Sequence, residues 1–526
     1  MMRPQQRASL GIRVGTIGAL VLIPALFWMI TGQVWEDFLI TFRQAANLIQ
    51  GNGLTYHEGE LLHSFTSPLN VLVPAFMAWV TGSVDYTIPL LLYNVVSISC
   101  FAAGGILTVQ FLIKQGETET PSWTVLCFPL ILVLCVRVTA FTVNGQEAGF
   151  WVLFLSISFI AAFRGYGSSW ILAGLGWGGL MMTRPDSPLH ITLFGLLALM
   201  IPIHSRKAEL IGILKAGVTC TVVYLPWFSW TWWYYGSPIP HTVMAKSGAY
   251  RGLLDFGLTP VEWIQKGLGI LGAPFLPLYY EPFDWPAVLG IFFAGCSLVI
   301  ILSPVFIKDR LVRLSSFLFS GSLVYLEFME LTARSFPWYY IPPAYFGALS
   351  LARIFQLQSP DSHPAKRFLP VALIIALLIS FAASVRQIEF QQRVVENGVR
   401  REVGLYLKEN VQAGERVYLE PMGYIGYFSG ARILDFPGLV APETVAARET
   451  YSVGFIDAPK YLKPEWMVLR PHEWEAMRKS PEIDRHYTAF AIIDRREEVR
   501  SEPFLPGRSY PFTDSAFYIL KRQDSP

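Results

Sequence analysis

Long apolar runs, interrupted only briefly by charged positions, make up the chain from its start to about residue 385. A helix needs about 20 mostly apolar residues to cross a bilayer. Segments with this pattern lie near residues 10–31, 66–82, 87–113, 122–143, 147–163, 168–182, 187–204, 210–228, 285–307, 314–331, 338–355 and 368–385. The sequence therefore predicts a multi-pass α-helical membrane protein with about 11 to 13 transmembrane helices.

The pattern changes after residue 385, where charged residues become frequent and apolar residues recur with short periods. This part predicts an amphipathic helix, a strand over Arg416–Leu419, a glycine-rich turn and a strand over Arg432–Asp435. The stretches PEWMVLRPHEWEAM and YTAFAIIDRR predict further strand and helix units. We expect a membrane domain over residues 1–385 and a small α/β domain over residues 386–526.

Basic residues in short loops set the expected orientation, because positively charged loops favour the cytoplasmic side of a membrane. Such residues precede the first apolar run and recur near 206–207, 308–313 and 366–367. These positions place the first loop, about 32–66, outside the cytoplasm. The C-terminal domain is expected on the same side.

The count of crossings contains one inconsistency. Counting forward from the first loop and backward from Lys207 disagrees by one crossing between residues 66 and 143. The short segment containing Pro68 and Pro74 is the one that we expect not to cross. The Gly- and Pro-rich stretch 267–280 is expected to form a re-entrant or surface element.

Composition narrows the class of protein further. With 53% hydrophobic and 15% charged residues, the 526-residue chain is too apolar for an ordinary soluble protein. A net charge of +2 gives no electrostatic reason for a nucleic-acid partner. All five cysteines precede residue 386, which excludes a disulfide framework or a cysteine-based zinc site in the C-terminal domain.

The first loop carries two adjacent acids, Glu36 and Asp37, in the stretch VWEDFLITFRQAANLIQGNGLTYHEGE. Acids just outside a helix are commonly solvated surface charges. Two details favour a chemical role. Trp35 and Phe38 flank the pair and could raise a carboxyl pKa by desolvation, and the segment that follows has the pattern of a helix lying on a membrane surface.

A resemblance to a known family extends these interpretations. The stretches EDFLITFRQAANLIQGNGLTYHEGE, NGQEAGFW, TRPDSPL, YYGSPIPHTVMAK and RSFPWYYIPP occur in this order and resemble the GT-C superfamily of membrane glycosyltransferases. The similarity is greatest to the bacterial branch that includes the mycobacterial terminal β-arabinofuranosyltransferase. It covers roughly residues 30–350 and extends weakly to LDFPGLVAPE in the C-terminal domain.

The resemblance implies a GT-C-like core that transfers a sugar from a polyprenyl-phosphate donor to a glycan or glycolipid acceptor of the cell envelope. The reaction would take place at the outer face of a bacterial cytoplasmic (inner) membrane, with pentosyl or arabinofuranosyl transfer as one form. A first-loop carboxylate would act as general base, with inversion at the anomeric carbon. Asp37 matches the second acid of the family's pair and is assigned as the base. Glu36 occupies a position where the family usually has Asp. The resemblance implies that it is a partner of the base or a metal ligand.

The resemblance also implies a set of residues that contact the substrates: Arg43, Glu147, Arg184, Asp186, His241, Lys246, Arg334, Tyr339 and Tyr340. Simpler roles exist for several of them. A helix dipole favours an acid at Glu147, and Arg184 with Asp186 could form a neutralising pair at a helix break. His241 could be a hydrogen-bonded loop residue, and Arg334 could extend to the membrane interface.

The sequence has no P-loop, dinucleotide fingerprint, HExxH or Gly-x-Ser-x-Gly motif. A divalent cation, Mg²⁺ or Mn²⁺, is a candidate cofactor that would screen phosphate charge, although the acids present define no metal site. A transporter or export component for lipid-linked glycans is an alternative from another class, although no internal repeat supports it. An inactive relative that only binds polyprenyl phosphate is a further alternative.

Overall fold

The computed structural model describes residues 4–116, 123–165, 167–250, 252–280, 284–358 and 364–523. The first part of the chain is helical. Its helices are α1 (Pro4–Thr31), α2 (Glu36–Ile49), α3 (Pro68–Thr81), α4 (Thr87–Lys114), α5 (Cys127–Leu134), α6 (Val136–Val143), α7 (Ala148–Arg164), α8 (Ser169–Thr183), α9 (Ser187–Met200), α10 (Arg206–Tyr235), α11 (His241–Lys246), α12 (Pro260–Gly272), α13 (Ala287–Phe306), α14 (Arg310–Thr332), α15 (Ile341–Gln356) and α16 (Pro364–Gln391). Each of the twelve predicted apolar segments contains a helix or, at 122–143, a pair of helices.

Among the described residues, six helices are long and apolar enough to cross a membrane: Gly11–Thr31, Thr87–Lys114, Arg206–Tyr235, Ala287–Phe306, Arg310–Thr332 and Phe368–Asn410. Counting the bent pair α5 and α6 as one span gives seven. Shorter apolar helices such as α7 and α9 pack between them. The predicted multi-pass helical class is confirmed, and the chain is a membrane protein.

The helix ends form two groups at opposite ends of the bundle. At one end, which we call the tail end, the backbone N–H of Val34 donates to Gln392 Oε1 at 3.1 Å. At the other end, Arg353 Nη1 donates to the carbonyl of Gln115 at 2.9 Å, and Arg353 also pairs with Asp309.

Helix α3 begins and ends at the tail end. Asn70 in its first turn accepts a hydrogen bond from the Tyr93 hydroxyl, near the start of α4, at 2.6 Å. Just after α3, the carbonyl of Val84 accepts one from Tyr427 of the C-terminal domain at 3.3 Å. The segment containing Pro68 and Pro74 therefore does not run through the bundle, as expected.

Helices α5 and α6 form a bent pair within the bundle. Helices α5 and α6 meet at Cys135 with a bend of 61°, and the irregular stretch after α12 inserts beside this bend. Arg137 Nε and Nη2 donate to the carbonyls of Leu276 and Pro277 at 3.2 and 3.1 Å, while Cys135 Sγ contacts the Pro274 carbonyl at 2.9 Å. Because irregular backbone in an apolar bundle needs partners within the protein, the buried Arg137 side chain stabilises this irregular stretch.

The C-terminal domain is a mixed α/β unit. Its elements are α17 (Arg401–Asn410), β1 (Arg416–Leu419), α18 (Met422–Ser429), β2 (Arg432–Asp435), α19 (Pro442–Tyr451), α20 (Ala458–Leu462), β3 (Trp466–Leu469), α21 (Pro471–Met477), α22 (Pro481–His486), β4 (Tyr487–Asp494), α23 (Arg496–Ser501), α24 (Ser509–Thr513) and β5 (Ala516–Arg522). The sheet order is β2-β1-β3-β5-β4, with β2, β1 and β3 parallel and β5 antiparallel to both β3 and β4. The predicted strands over Arg416–Leu419 and Arg432–Asp435 are confirmed.

One prediction in this domain is wrong. The glycine-rich stretch between β1 and β2 is a helix, α18, rather than a turn. Its glycines allow close approach to the first loop: a Cβ on Gly423 would overlap the Glu36 side chain, and one on Gly426 would overlap the Tyr56 hydroxyl. Glycine here serves helix packing, which a single sequence cannot distinguish from turn formation.

A continuous helical path joins the two domains. Helix α16 continues through a π-helical segment, Gln392–Arg400, into α17, so that residues 368–410 form one long helix. Because the helix is not interrupted, the C-terminal domain is attached to the bundle through a rigid element rather than a flexible linker.

Close packing of α4 on α7 generates a stability prediction. A Cβ on Gly149 would overlap the carbonyl oxygen of Ser97. Gly149→Ala should therefore separate the two helices and lower the apparent melting temperature in detergent, at a cost of about 1 to 3 kcal/mol. Gly217→Ala is the matched control on α10, because nothing lies within 4 Å of the position that its added methyl group would occupy and alanine favours a helix. Equal melting temperatures for the two variants would contradict the proposed packing constraint.

Candidate active site

The two acids of the first loop lie in the first turn of α2. Consecutive residues of an α-helix project about 100° apart, so that neighbouring side chains cannot face the same surroundings. The apolar face of α2 fixes its rotation, since Phe38, Leu39 and Phe42 are fully buried. As a result Asp37 faces a cavity of the membrane domain, whereas Glu36 faces the C-terminal domain.

The cavity has a volume of about 400 Å³ and lies at the tail end of the bundle. Five parts of the membrane domain form most of its wall: the first loop, the start of α7, the break between α8 and α9, the segment around α11, and the segment from α14 to the following 3-10 turn. Seven of the predicted site residues line it: Asp37, Glu147, Arg184, Asp186, Lys246, Arg334 and Tyr339.

Arg184 joins the two acids of the cavity wall. Its Nη1 lies 2.7 Å from Glu147 Oε1, and its Nε lies 2.8 Å from Asp186 Oδ1. The guanidinium also lies over the Tyr339 ring, 5.0 Å from the centroid. This buried group fixes the turn between α8 and α9 against the start of α7, because an Arg with two carboxylate partners keeps little freedom.

Lys246 and Arg334 are the cavity cations without a carboxylate partner among the ion pairs of the described residues. The Lys246 ammonium lies 4.7 Å from the Phe336 ring centroid and 5.4 Å from that of Trp338. Arg334 lies 6.0 Å from the Phe336 ring. Aromatic faces hold a cation without neutralising it, so that both charges remain available to an anionic ligand.

The electrostatics of Asp37 follow from this arrangement. Burial raises the pKa of Asp37, while the charges of Lys246 and Arg184 lower it. Burial in turn lowers the pKa of Lys246, and Asp37 raises it. The two groups therefore stabilise each other's charged forms inside a site that disfavours both.

Glu36 has a different set of partners. Arg400 Nη1 donates to Glu36 Oε2 at 2.7 Å, and the backbone N–H of Gly423 donates to Glu36 Oε1 at 2.9 Å. Burial raises the pKa of Glu36 to about 8, with Arg400 lowering it. A raised pKa alone suits a general base, but both carboxylate oxygens are engaged away from the cavity, and geometry decides first.

Glu36 belongs to a charge cluster, in which Glu396 and Glu420 add to the effect of burial in raising its pKa. Two guanidinium groups, those of Arg400 and Arg470, pair with five carboxylates: Glu36, Glu396, Asp514, Glu420 and Glu473. Because acids outnumber cations, some of the carboxyl groups are held toward the neutral form. The same cluster links the first loop, the π-helical segment and the C-terminal domain.

Three other predicted site residues lie outside the cavity wall. Arg43 donates to the carbonyls of Gly426, Gly430 and Ala431 at 2.7, 3.1 and 3.1 Å, and so holds α18 on the first loop. His241 Nε2 lies 3.0 Å from the Gly438 carbonyl. The Tyr340 hydroxyl lies 3.0 Å from Ser335 Oγ, with Arg137 over its ring. These residues connect parts of the protein, and their predicted substrate contacts stay predictions.

Leu439 and Gln146 are among the cavity residues that were not predicted from the sequence. Leu439 of the C-terminal domain lines the cavity, and it lies within the stretch LDFPGLVAPE that carries the weak resemblance. Gln146 also lines the cavity, where its Nε2 and the Oε2 of Glu147 are buried without a protein partner. Unpaired buried polar atoms in a cavity wall are available to a polar ligand.

The residues do not fit a metal site. Among the described residues, no group of three or more His, Cys, Asp or Glu side chains could hold a metal ion. Two of the three cavity carboxylates, Glu147 and Asp186, are bound by Arg184. A Mg²⁺ or Mn²⁺ ion would need oxygen ligands that converge on one point, and this arrangement does not supply them.

Solved structures share the fold at low sequence identity. ArnT from Cupriavidus metallidurans bound to undecaprenyl phosphate is 10% identical, with a TM-score of 0.55 over 96% of this chain and 97% of that chain. Its apo state gives 9% identity and a TM-score of 0.56 over 98% of both chains. The Archaeoglobus fulgidus oligosaccharyltransferase tethered with an acceptor peptide gives 11% and 0.55, covering 90% of this chain and 72% of that chain. The predicted GT-C-like fold is confirmed.

Sequence comparisons reach less of the chain. A family model described as Domain of unknown function (DUF8728) matches residues 385–513. No curated protein sequence matches the chain. The matched part covers most of the C-terminal domain and includes Arg400 and Leu439, so a domain without an assigned role contributes to the wall of the candidate site.

The buried cluster yields a stability prediction. Arg400→Met would leave Glu36 and Glu396 without their cation, and breaking a buried ion pair costs about 3 to 5 kcal/mol. We expect a clearly lower melting temperature and faster proteolysis in detergent. Arg386→Met is the matched control, because its side chain is 46% exposed and exposed pairs contribute about 0 to 1 kcal/mol. The interpretation of the cluster fails if both variants unfold alike.

Proposed function

We propose that the protein is a glycosyltransferase that moves a sugar from a polyprenyl-phosphate donor to a hydroxyl acceptor of the cell envelope. One observation carries the proposal: one cavity is lined by the half-buried Asp37 carboxylate and by two cations, Lys246 and the exposed Arg334, and none of the three forms an ion pair among the described residues. A carboxylate can take a proton and cations can bind a phosphate, and this reaction requires both. The shared fold with ArnT bound to undecaprenyl phosphate supports the donor class.

In the proposed reaction, the Asp37 carboxylate accepts the proton of the acceptor hydroxyl. The acceptor oxygen forms a bond to the anomeric carbon of the donor sugar, on the face opposite the phosphate. The bond between that carbon and the phosphate oxygen breaks, and its electron pair leaves with the polyprenyl phosphate. Each atom and charge is accounted for, and the configuration at the anomeric carbon inverts.

Lys246 and Arg334 act on the leaving group. The phosphate gains negative charge as the sugar departs, and cations placed there stabilise the transition state more than the ground state. Arg can contact two phosphate oxygens at once, whereas Lys acts as a point charge. Arg184 is not expected to bind the phosphate, because its guanidinium already forms ion pairs with Glu147 and Asp186.

The proposal also includes the side of the membrane on which the reaction takes place and the type of sugar that is transferred. We place the reaction at the outer face of a bacterial cytoplasmic membrane, since the basic loops predict that the tail end lies outside. The resemblance of the first loop to the arabinofuranosyltransferase branch supports pentosyl transfer as the form to test first.

The base can be tested directly. Asp37→Asn keeps the shape of the side chain but cannot accept the proton, so kcat should fall by roughly 10² to 10⁴-fold while folding is retained. Glu36→Gln should keep transfer within roughly tenfold, because Gln can still accept the hydrogen bond from Gly423. The measurement is transfer from radiolabelled polyprenyl-phosphate sugars to envelope acceptors by the purified protein in detergent.

The outcome separates the alternatives. Undiminished transfer by Asp37→Asn would exclude Asp37 as the base. Loss of transfer in Glu36→Gln alone would assign the role of base to Glu36. Lipid movement across vesicles without sugar transfer would favour a transporter. Binding of polyprenyl phosphate without either activity would favour an inactive relative.

The coupling between Lys246 and Asp37 predicts a change in pH dependence. The base works only when ionised, and the Lys246 charge lowers its pKa. Lys246→Met removes that effect and raises the pKa of Asp37, so the acid limb of kcat/KM against pH should move to higher pH. Lys266→Met, an exposed control on α12, should leave the limb in place. An unchanged limb in Lys246→Met would show that the two groups do not interact.

A further inference from the structure

Arg448 of the C-terminal domain reaches the segment that carries Lys246. It lies in α19, and its side chain is only 8% exposed. Its Nη1 donates to the carbonyl of Ala245 and its Nη2 to the carbonyl of Ser247, each at 2.8 Å. These carbonyls belong to the residues on either side of Lys246. The guanidinium therefore holds the backbone of the cavity lysine from both directions.

The loop between β2 and α19 completes this attachment. Arg448 Nη1 also donates to the Pro437 carbonyl at 2.9 Å. The buried Asp435 carboxylate accepts the backbone N–H groups of Gly438, Leu439 and Val440 at 3.1, 2.6 and 2.9 Å, which curls the loop and brings Leu439 to the cavity wall.

Gly438 permits this loop conformation. Its φ of 101° is one that only glycine adopts readily, and a Cβ there would lie 2.8 Å from Val445 Cγ2. Its carbonyl also contacts His241 Nε2 at the start of α11. The loop and Arg448 thus hold α11 at both of its ends.

We infer that Arg448 is a positioning residue: through it, the C-terminal domain fixes Lys246 in place to bind the phosphate of a lipid-linked ligand. This inference rests on the proposed function and gives the domain of unknown function a role in it. Lys carries a flexible chain with large rotamer entropy, so a fixed backbone reduces the freedom lost on binding. Ring contacts with Phe336 and Trp338 restrict the ammonium from the other side.

The test measures binding of undecaprenyl phosphate to the full-length protein in detergent. Lys246→Met should weaken binding roughly 10- to 100-fold, as expected for loss of a charged partner. Arg448→Met should weaken it by about tenfold, and the double variant should bind no worse than Lys246→Met, because Arg448 acts through the lysine. Undecaprenol, which lacks the phosphate, should bind all variants equally.

A matched control separates positioning from a general loss of structure. Arg416 lies in the same domain, where it pairs with Glu465 away from the cavity, and Arg416→Met should leave binding unchanged. Melting temperatures identify the variants that fold. If Arg448→Met does not fold, Arg448→Lys replaces it, since it keeps the charge but cannot reach three carbonyls at once, and an intermediate affinity is expected.

The outcomes distinguish this inference from the proposed function. If the wild type binds undecaprenyl phosphate no better than undecaprenol, the donor class is wrong and the inference falls with it. If the wild type prefers the phosphate but Arg448→Met binds as Arg416→Met does, only the inference is overturned. Additive losses in the double variant would likewise overturn it, because they would show that Arg448 acts independently of Lys246.

Discussion

The angular step of an α-helix is the constraint on which the site depends. Glu36 and Asp37 are adjacent in sequence, yet one turn of α2 directs them to different surroundings. Glu36 binds Arg400 and the Gly423 backbone, and this contact fixes the rotation of α2 together with its buried phenylalanines. Asp37 faces the cavity because its neighbour is held on the other side. The orientation of the candidate base is therefore determined partly by the C-terminal domain.

The same domain reaches the cavity by a second route. The continuous helix through residues 368–410 carries Arg400 to the first loop, and α19 carries Arg448 to the backbone around Lys246. A rigid connection matters here, since two distant contacts can be satisfied together only if the domain has a fixed position on the bundle. Asp37 and Lys246 are thus both held in position partly by contacts with the C-terminal domain.

Much of the fold could be predicted, because hydrophobic periodicity depends directly on secondary structure. For the candidate site, the sequence indicated which residues contribute but not how they are arranged. Apolar runs located the helical segments of the bundle, and short apolar runs next to glycine-containing stretches located β1 and β2. Glycine was ambiguous, since in α18 it marks close packing rather than a turn.

Most predicted site residues line one cavity, but Arg43, His241 and Tyr340 connect chain segments instead. An Arg bound to three carbonyls and an Arg facing a ligand look alike in sequence, because the difference lies in partners from distant parts of the chain.

The ion pairs within the cavity distinguish Arg184 from the other two cations, Lys246 and Arg334. Glu147 and Asp186 both bind Arg184, so that an added phosphate would have to displace a carboxylate from a buried guanidinium at considerable cost. Lys246 and Arg334 form no ion pair with a carboxylate among the described residues and lie near aromatic rings. Under the proposed function, the donor phosphate is expected beside these two cations. The proposed in-line displacement would then require the acceptor hydroxyl to approach Asp37 from another direction, and the unpaired polar atoms of Gln146 and Glu147 in the cavity wall are available to orient it.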